Sequence, residues 1–381
     1  MSLPERLRAN LSAWLAAARG QARFPLLLWA ATRAALMLFS EMALRLEPHG
    51  HRIPPRHEAF LRSHPWIDGF CRWDCGWYLR IATHGYIAYE ESNIWPFYPL
   101  LTRVFHELTR LDLILSLIIV ANLACLISWL VMYRLFERLE GEDAARWALG
   151  LYAAYPFAFF QAEAYPESTM VMFSVLAISL ALANQPLRAG LALGLGTLAR
   201  HLVMIGGAAL LIVQLRERGW KRLFAERGVL GLFLPWLILA AYPLWLWHSL
   251  HDPLAFWKSR TQGWGAVAWM GVWVPFQNGQ WLTDARYWIY PLISLVPAAG
   301  AVLLAKEKRW ELFAVAAIFL ATCWGIGAEA LGRYSAGCWP AFLPLGVVLS
   351  KRRDWQVPAL VSLALLQGLF FYLFIEQYPI V

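Results

Sequence analysis

Long apolar runs recur along the chain, separated by short polar connectors rich in Arg and Lys. About 20 apolar residues suffice for a helix to cross a ~30 Å hydrocarbon core. The pattern predicts spans at 24–46, 112–133, 147–160, 167–183, 228–248, 288–305, 312–326, 337–349 and 357–375. Two shorter segments, 189–199 and 202–214, are joined at Arg200-His201. The expected architecture is an all-α polytopic integral membrane protein with about 10–11 transmembrane helices in one domain, 1–381. Ahead of the first span, Leu3, Leu7, Leu11, Trp14 and Leu15 share one helical face, predicting an interfacial helix within the basic segment 1–23.

Composition agrees with this picture. The chain is 60% hydrophobic and 15% charged, where soluble proteins carry about a quarter charged residues. Its 22 Trp and 14 Tyr suit membrane-interface belts. The net charge of +8 lies in inter-span connectors, which points to orientation and anionic lipid headgroups and away from nucleic acid. Basic clusters at Arg134–Arg146, Arg216–Arg227, Lys306–Arg309 and Lys351–Arg353 fall on one side together with the N-terminus. That side reads as cytoplasmic. The loop 47–111, the turn at 164–167, the Trp-rich loop 249–287 and the turn at 329–333 then face the exterior. In a bacterial inner membrane this exterior is the periplasm. The first 24 residues lack the apolar core of a cleavable leader.

The first exterior loop carries the densest chemistry, FCRWDCGWYLRIATHGYIAYEESNIWPFYPLL at 70–101. Residues 75–83 read as a short amphipathic helix, with Asp74 at the N-cap and His84-Gly85 as its stop. Phe70, Trp73, Trp77 and Ile81 fall at near-helical spacing, a face for the membrane interface. Asp74 is either a cap or a carboxylate at the mouth of a membrane-embedded cavity. In the second exterior loop, Trp257, Trp264, Trp269, Trp273, Trp281 and Trp288 suggest an interfacial segment or a roof over such a cavity.

Ionisable groups at membrane depth are costly and tend to mark function. Arg33 sits within the first span. Glu163 and Glu167 bracket a turn, where Pro166-Glu167 also makes a good helix start. Arg200-His201 joins two segments too short to cross alone, and a cation pair there suits an anionic ligand such as phosphate. Glu329, Arg333 and Tyr334 open the last exterior turn, either as a phosphate grip or as a span anchor.

Other signals exclude rather than assign. Five cysteines, an odd number, argue against a disulfide scaffold. Cys71 and Cys75 with His84 do not make a standard zinc spacing, so no metal site is expected. The glycines of 194–199 resemble a dinucleotide fingerprint but lie inside an apolar helix, and Gly190 with Gly194 reads better as a G-x-x-x-G packing stripe. No Walker loop, G-x-S-x-G elbow or H-E-x-x-H occurs.

An exterior carboxylate, buried cations and many aromatic faces together suggest group transfer from a membrane-soluble phosphate ester. The run RWDCGWYLRIATHGY with NIWPFYPLL resembles the signature of the PIG-V family, the second mannosyltransferase of GPI-anchor assembly and its bacterial relatives. YPFAFFQAEAYPES at 155–168 resembles that family's A-x-Y-S-E-x element, with Pro166 in place of Ser. GLGTLARHLVMIGG at 194–207 resembles its A-T-x-x-R segment, and GRYSAGCWP at 332–340 is a weaker match. Cys71, Cys75 and the Trp-rich loop have no counterpart in the resemblance.

The resemblance implies a GT-C-like glycosyltransferase that takes a sugar, most naturally mannose, from a polyprenyl-phosphate donor. The acceptor would be a hydroxyl on a lipid or glycan. In this reading Asp74 is the general base and Arg200, His201 and Arg333 hold the donor phosphate. Trp73, Trp77, Tyr78, Glu163 and Glu167 face sugar or acceptor. Transfer would invert the anomeric centre without a metal or other cofactor, and a monomer would suffice. The rival readings are a transporter or flippase of a lipid-linked sugar or other anionic amphiphile, and a non-catalytic subunit of a larger transferase.

Overall fold

The computed structural model describes the backbone of residues 3–46, 55–225, 228–263 and 271–378. Side chains within these ranges are described outside 3–21, 55–56, 218, 221–225, 262–263 and 329–330. Among the described residues, all regular structure is helical.

The interfacial helix and the first span form one helix, α1 (Leu3–Leu46), which accommodates Pro25 without a break. The first exterior loop holds the short helix its sequence predicts and is otherwise largely folded as well. It contains α2 (Pro55–Arg62), α3 (Pro65–Asp68), α4 (Cys75–His84) and α5 (Phe97–Thr109), while residues 47–54 lie outside the described chain. The long α6 (Leu113–Glu140) is capped by Asp112, whose carboxylate accepts the Ile114 N–H at 2.8 Å. After α7 (Glu142–Ala154) an irregular turn leads to α8 (Glu167–Leu182).

A hairpin of α9 (Pro186–Ala199) and α10 (Gly206–Ala225, kinked at Gly219) then joins at Arg200-His201, as the apolar pattern predicts. There follow α11 (Gly228–Leu250), the short α12 (Ala255–Lys258) and α13 (Val274–Gln277), then α14 (Arg286–Lys306) and α15 (Trp310–Ile326). Next come α16 (Ala328–Arg333), a buried 3₁₀ turn at 334–341, α17 (Phe342–Ser350) and α18 (Arg353–Ile375). Among the described residues, five helical segments are long and apolar enough to cross a membrane unaided: Ala22–Leu46, Leu113–Glu140, Gly228–Leu250, Arg286–Lys306 and Arg353–Ile375. The apolar helices Glu167–Leu182 and Trp310–Ile326 are shorter.

At the centre lies α8, whose residues from Glu167 to Val175 are all buried. It is apolar on every side beyond its first turn, as a helix enclosed by others must be. It packs against α6, α9, α10 and the 334–341 turn. The glycine stripe does what its spacing suggests. A Cβ on Gly190 would lie 2.1 Å from the Gly231 carbonyl oxygen, and one on Gly194 would lie 2.5 Å from Ile238 Cδ1. Only glycine lets α9 and α11 approach this closely. The outer face of α11 exposes Phe233, Trp236, Leu237 and Leu244, the surface expected toward lipid.

The bundle has two chemically different ends. At one, the basic connectors meet: Arg309 pairs with Glu140, and Arg216 lies 3.0 Å from Glu311. At the other converge the first residues of α4 and α8, the last of α9 and α16, and the C-terminal turn of α18.

Candidate functional site

Four helix ends assemble the site. Asp74 precedes α4 and Glu167 opens α8, where a carboxylate is favoured by the helix dipole. Arg200 sits in extended backbone just past α9, so its side chain can turn back toward Glu167. Arg333 closes α16.

The side chains form one chain of ion pairs. Arg333 Nη1 donates to Asp74 Oδ2 at 2.5 Å, its Nε to Glu167 Oε1 at 2.5 Å, and its Nη2 to the Tyr78 hydroxyl at 3.1 Å. Arg200 Nη2 donates to the same Glu167 Oε1 at 2.6 Å. Both guanidiniums also lie over aromatic faces: Arg333 is 4.2 Å from the Tyr165 ring centroid and Arg200 is 4.2 Å from that of Tyr334. Buried charges persist only when paired and hydrogen-bonded, and two cations facing two carboxylates meet that condition.

Asp74 differs from the other acids here. Its side chain is 24% exposed, whereas that of Glu167 is 0% exposed. Although it occupies the N-cap position of α4, its carboxylate makes no capping hydrogen bond. The cap reading therefore fails, because Arg333 takes the carboxylate instead. The helix stop, by contrast, is as expected: Gly85 adopts φ +76° and its N–H returns to the Ile81 carbonyl at 2.8 Å.

Several residues lie elsewhere than their spacing suggests. Phe70 and Ile81 are buried, while Trp73 is exposed. No common interfacial face forms, because Trp73 at φ +51° breaks the helical phase ahead of α4. Trp77 is half-buried beneath the Arg80 guanidinium, and Tyr78 is buried with its hydroxyl on Arg333. Glu163 is fully buried, and neither carboxylate oxygen finds a hydrogen-bond partner. Burial pushes its carboxyl well above the ordinary carboxylate range despite the nearby Arg72 and Arg33.

The Arg200-His201 pair divides. Arg200 is buried in the ion-pair chain, whereas His201 is exposed beside Trp95, with ring centroids 5.4 Å apart. Arg33 is an internal residue: it donates to Cys125 Sγ at 2.8 Å and lies over the Trp29 and Trp129 rings. The side chain of Glu329, and Trp264 and Trp269, lie outside the described residues.

The largest departure from the sequence reading is covalent. Cys71 and Cys75 form a disulfide, enclosing Arg72, Trp73 and Asp74. An odd cysteine count spoke against a disulfide scaffold but not against a single local bridge; Cys125, Cys323 and Cys338 are free and buried. Among the described residues, no group of three or more His, Cys, Asp or Glu side chains is arranged to hold a metal ion. The Tyr165 hydroxyl, which no sequence signal singled out, supports the loop. It accepts the Asp74 N–H at 3.0 Å and donates to the Arg72 carbonyl at 2.9 Å.

A family model described as dolichyl-phosphate-mannose-protein mannosyltransferase matches residues 94–247. That segment includes Glu167 and Arg200 but neither Asp74 nor Arg333. No curated protein matches the chain in sequence. Among solved structures, the chain is similar to ArnT from Cupriavidus metallidurans bound to undecaprenyl phosphate. Identity is 16% and the TM-score 0.56, over 89% of this chain and 63% of that one. Apo ArnT from the same organism gives 18% identity and a TM-score of 0.55, over 88% and 62%. The chain thus spans under two thirds of the ArnT length. The likeness covers nearly all of this chain, which is an integral, multi-pass, all-helical membrane protein that shares the fold of the ArnT membrane region it overlays.

Proposed function

We propose that the protein is a membrane glycosyltransferase that moves a sugar from a polyprenyl-phosphate donor to a hydroxyl of a lipid or glycan acceptor. The observation that carries this reading is the state of Asp74. In a cluster whose other carboxylates are sealed from solvent, Asp74 alone of Asp74, Glu163 and Glu167 reaches it, and a buried Arg fixes its orientation.

In this reading Asp74 takes the proton of the acceptor hydroxyl as its oxygen attacks the anomeric carbon. The bond from that carbon to the phosphate oxygen breaks with inversion, and its electron pair leaves on the lipid phosphate. Arg200 retains an Nε with no hydrogen-bond partner, and with exposed His201 it receives the phosphate as its charge grows. Arg333 acts through Asp74, while Glu167 positions both guanidiniums rather than touching sugar. Trp73, exposed next to Asp74, and Trp77 offer ring faces to the sugar. Tyr78 sits behind them as a partner of Arg333, and Glu163 serves packing.

The PIG-V-like motifs and the name of the matching family model support mannose as the sugar. ArnT bound to undecaprenyl phosphate supports a polyprenyl carrier. Phosphate leaves with little need of protonation, so the reaction is drawn without a metal, in a monomer. The basic connectors at the opposite end support a site on the exterior face of the plasma membrane.

The test is incubation of purified protein with radiolabelled polyprenyl-phosphate mannose and a membrane lipid extract in EDTA, comparing wild type with Asp74→Asn. Labelled glycoside formed by wild type and lost in the variant is the expected result. Equal product from both removes Asp74 from the chemistry. No product, with the donor instead carried across liposomes, establishes the transporter.

A further inference from the structure

The Cys71–Cys75 disulfide closes a ring of five residues in which successive side chains point to different destinations. Arg72 turns inward to Asp68, 2.9 Å away; Trp73 turns outward; Asp74 points to Arg333. This divergence depends on Trp73 at φ +51°, a left-handed conformation unfavourable for any residue with a Cβ. Besides the disulfide, the ring is held by the Tyr165 hydroxyl and by the Trp73 indole N–H, which donates to the Phe374 carbonyl at 3.3 Å. A crosslink over so short a loop removes little entropy from the unfolded chain, so it makes a poor global staple. It straddles the one residue proposed to take the acceptor proton.

We propose that the Cys71–Cys75 disulfide is a positioning device: it holds the 72–74 turn so that the Asp74 carboxylate stays on Arg333 and faces the acceptor. The inference rests on Asp74 being the base. The two cysteines are positioning residues and touch no substrate. Opening the bridge lets Trp73 relax to an ordinary φ and swings Asp74 off Arg333, while the donor phosphate groups on Arg200 and His201 stay in place.

The experiment compares full-length wild type with Cys71→Ser/Cys75→Ser in two measurements. In transfer kinetics with labelled polyprenyl-phosphate mannose, kcat falls at least tenfold while the donor KM stays within twofold. In hydrogen–deuterium exchange, amides of residues 72–78 exchange faster in the variant and those of α8 do not. Alkylation of denatured, unreduced wild type labels three of its five cysteines. If the variant resists folding, folded wild type is treated instead with a phosphine. The phosphine becomes its oxide using water as the two sulfurs each gain a proton, and the same two measurements follow.

Unchanged kcat, unchanged exchange at 72–78, or five labelled cysteines each overturns the proposal. If wild type itself makes no glycoside, the transferase reading fails. The exchange result then judges the positioning of Asp74 separately.

Discussion

Arg333 and Asp74 stand 259 positions apart in sequence, yet their side chains meet at 2.5 Å across the end of the helical bundle. Arg333 is buried and Asp74 is a quarter exposed, so the cation is fixed and the carboxylate is presented. Because the carboxylate is not a helix cap, replacing it costs α4 nothing. Asp74→Asn lowers the transfer rate by about 10²–10⁴-fold, the usual worth of a positioned base. Because Asp74 is a quarter exposed and Arg333 keeps Glu167, the variant loses less stability than the about 3–5 kcal/mol of a fully buried broken pair, and binding of polyprenyl phosphate persists. A large loss of stability instead marks the pair as structural.

Arg333 serves three acceptors with one planar fork, a task lysine's single ammonium cannot reproduce. Arg333→Lys therefore retains charge but loses most activity. Arg333→Gln additionally destabilises the protein by about 3–5 kcal/mol, the cost of breaking a buried pair. Thermal unfolding alongside transfer rates separates the two effects, and full activity in the Lys variant contradicts the fork's role.

Glu167 and Glu163 lie four residues apart, are equally buried, and have opposite expected behaviour. Glu167 Oε1 is the shared acceptor of Arg200 and Arg333, so Glu167→Gln leaves two buried cations short of charge. That variant destabilises by about 3–5 kcal/mol and abolishes transfer. Glu163 has no hydrogen bond to lose, and burial pushes its carboxyl well above the ordinary carboxylate range. Glu163→Gln is nearly isosteric and breaks no hydrogen bond, and keeps fold and activity. Measuring both variants side by side checks the distinction.

Gly190 has no room for a side chain, since a Cβ would press on the Gly231 carbonyl. Gly190→Val separates α9 from α11 and destabilises by about 1–3 kcal/mol, as overpacking does. Leu191→Val, one residue along on an exposed face, stays within about 0.5 kcal/mol. Thermal unfolding of the two proteins in the same detergent is the comparison.

What the sequence determined by itself was local. Apolar runs marked the helices, Gly85 marked the end of α4, Gly190 and Gly194 marked a close contact, and the broken hairpin at Arg200 was visible in segments too short to span. Each follows from the bilayer's demand for satisfied backbone or from the conformational needs of single residues. Which charges pair was decided only by the tertiary structure. Spacing could not show that Asp74 leaves its capping position for Arg333, that His201 parts from Arg200, or that Glu163 is sealed off. Nor could a count of cysteines show that two of them close a ring around Asp74. These outcomes depend on helix ends distant in sequence arriving at one place, where low dielectric makes an unpaired buried charge costly.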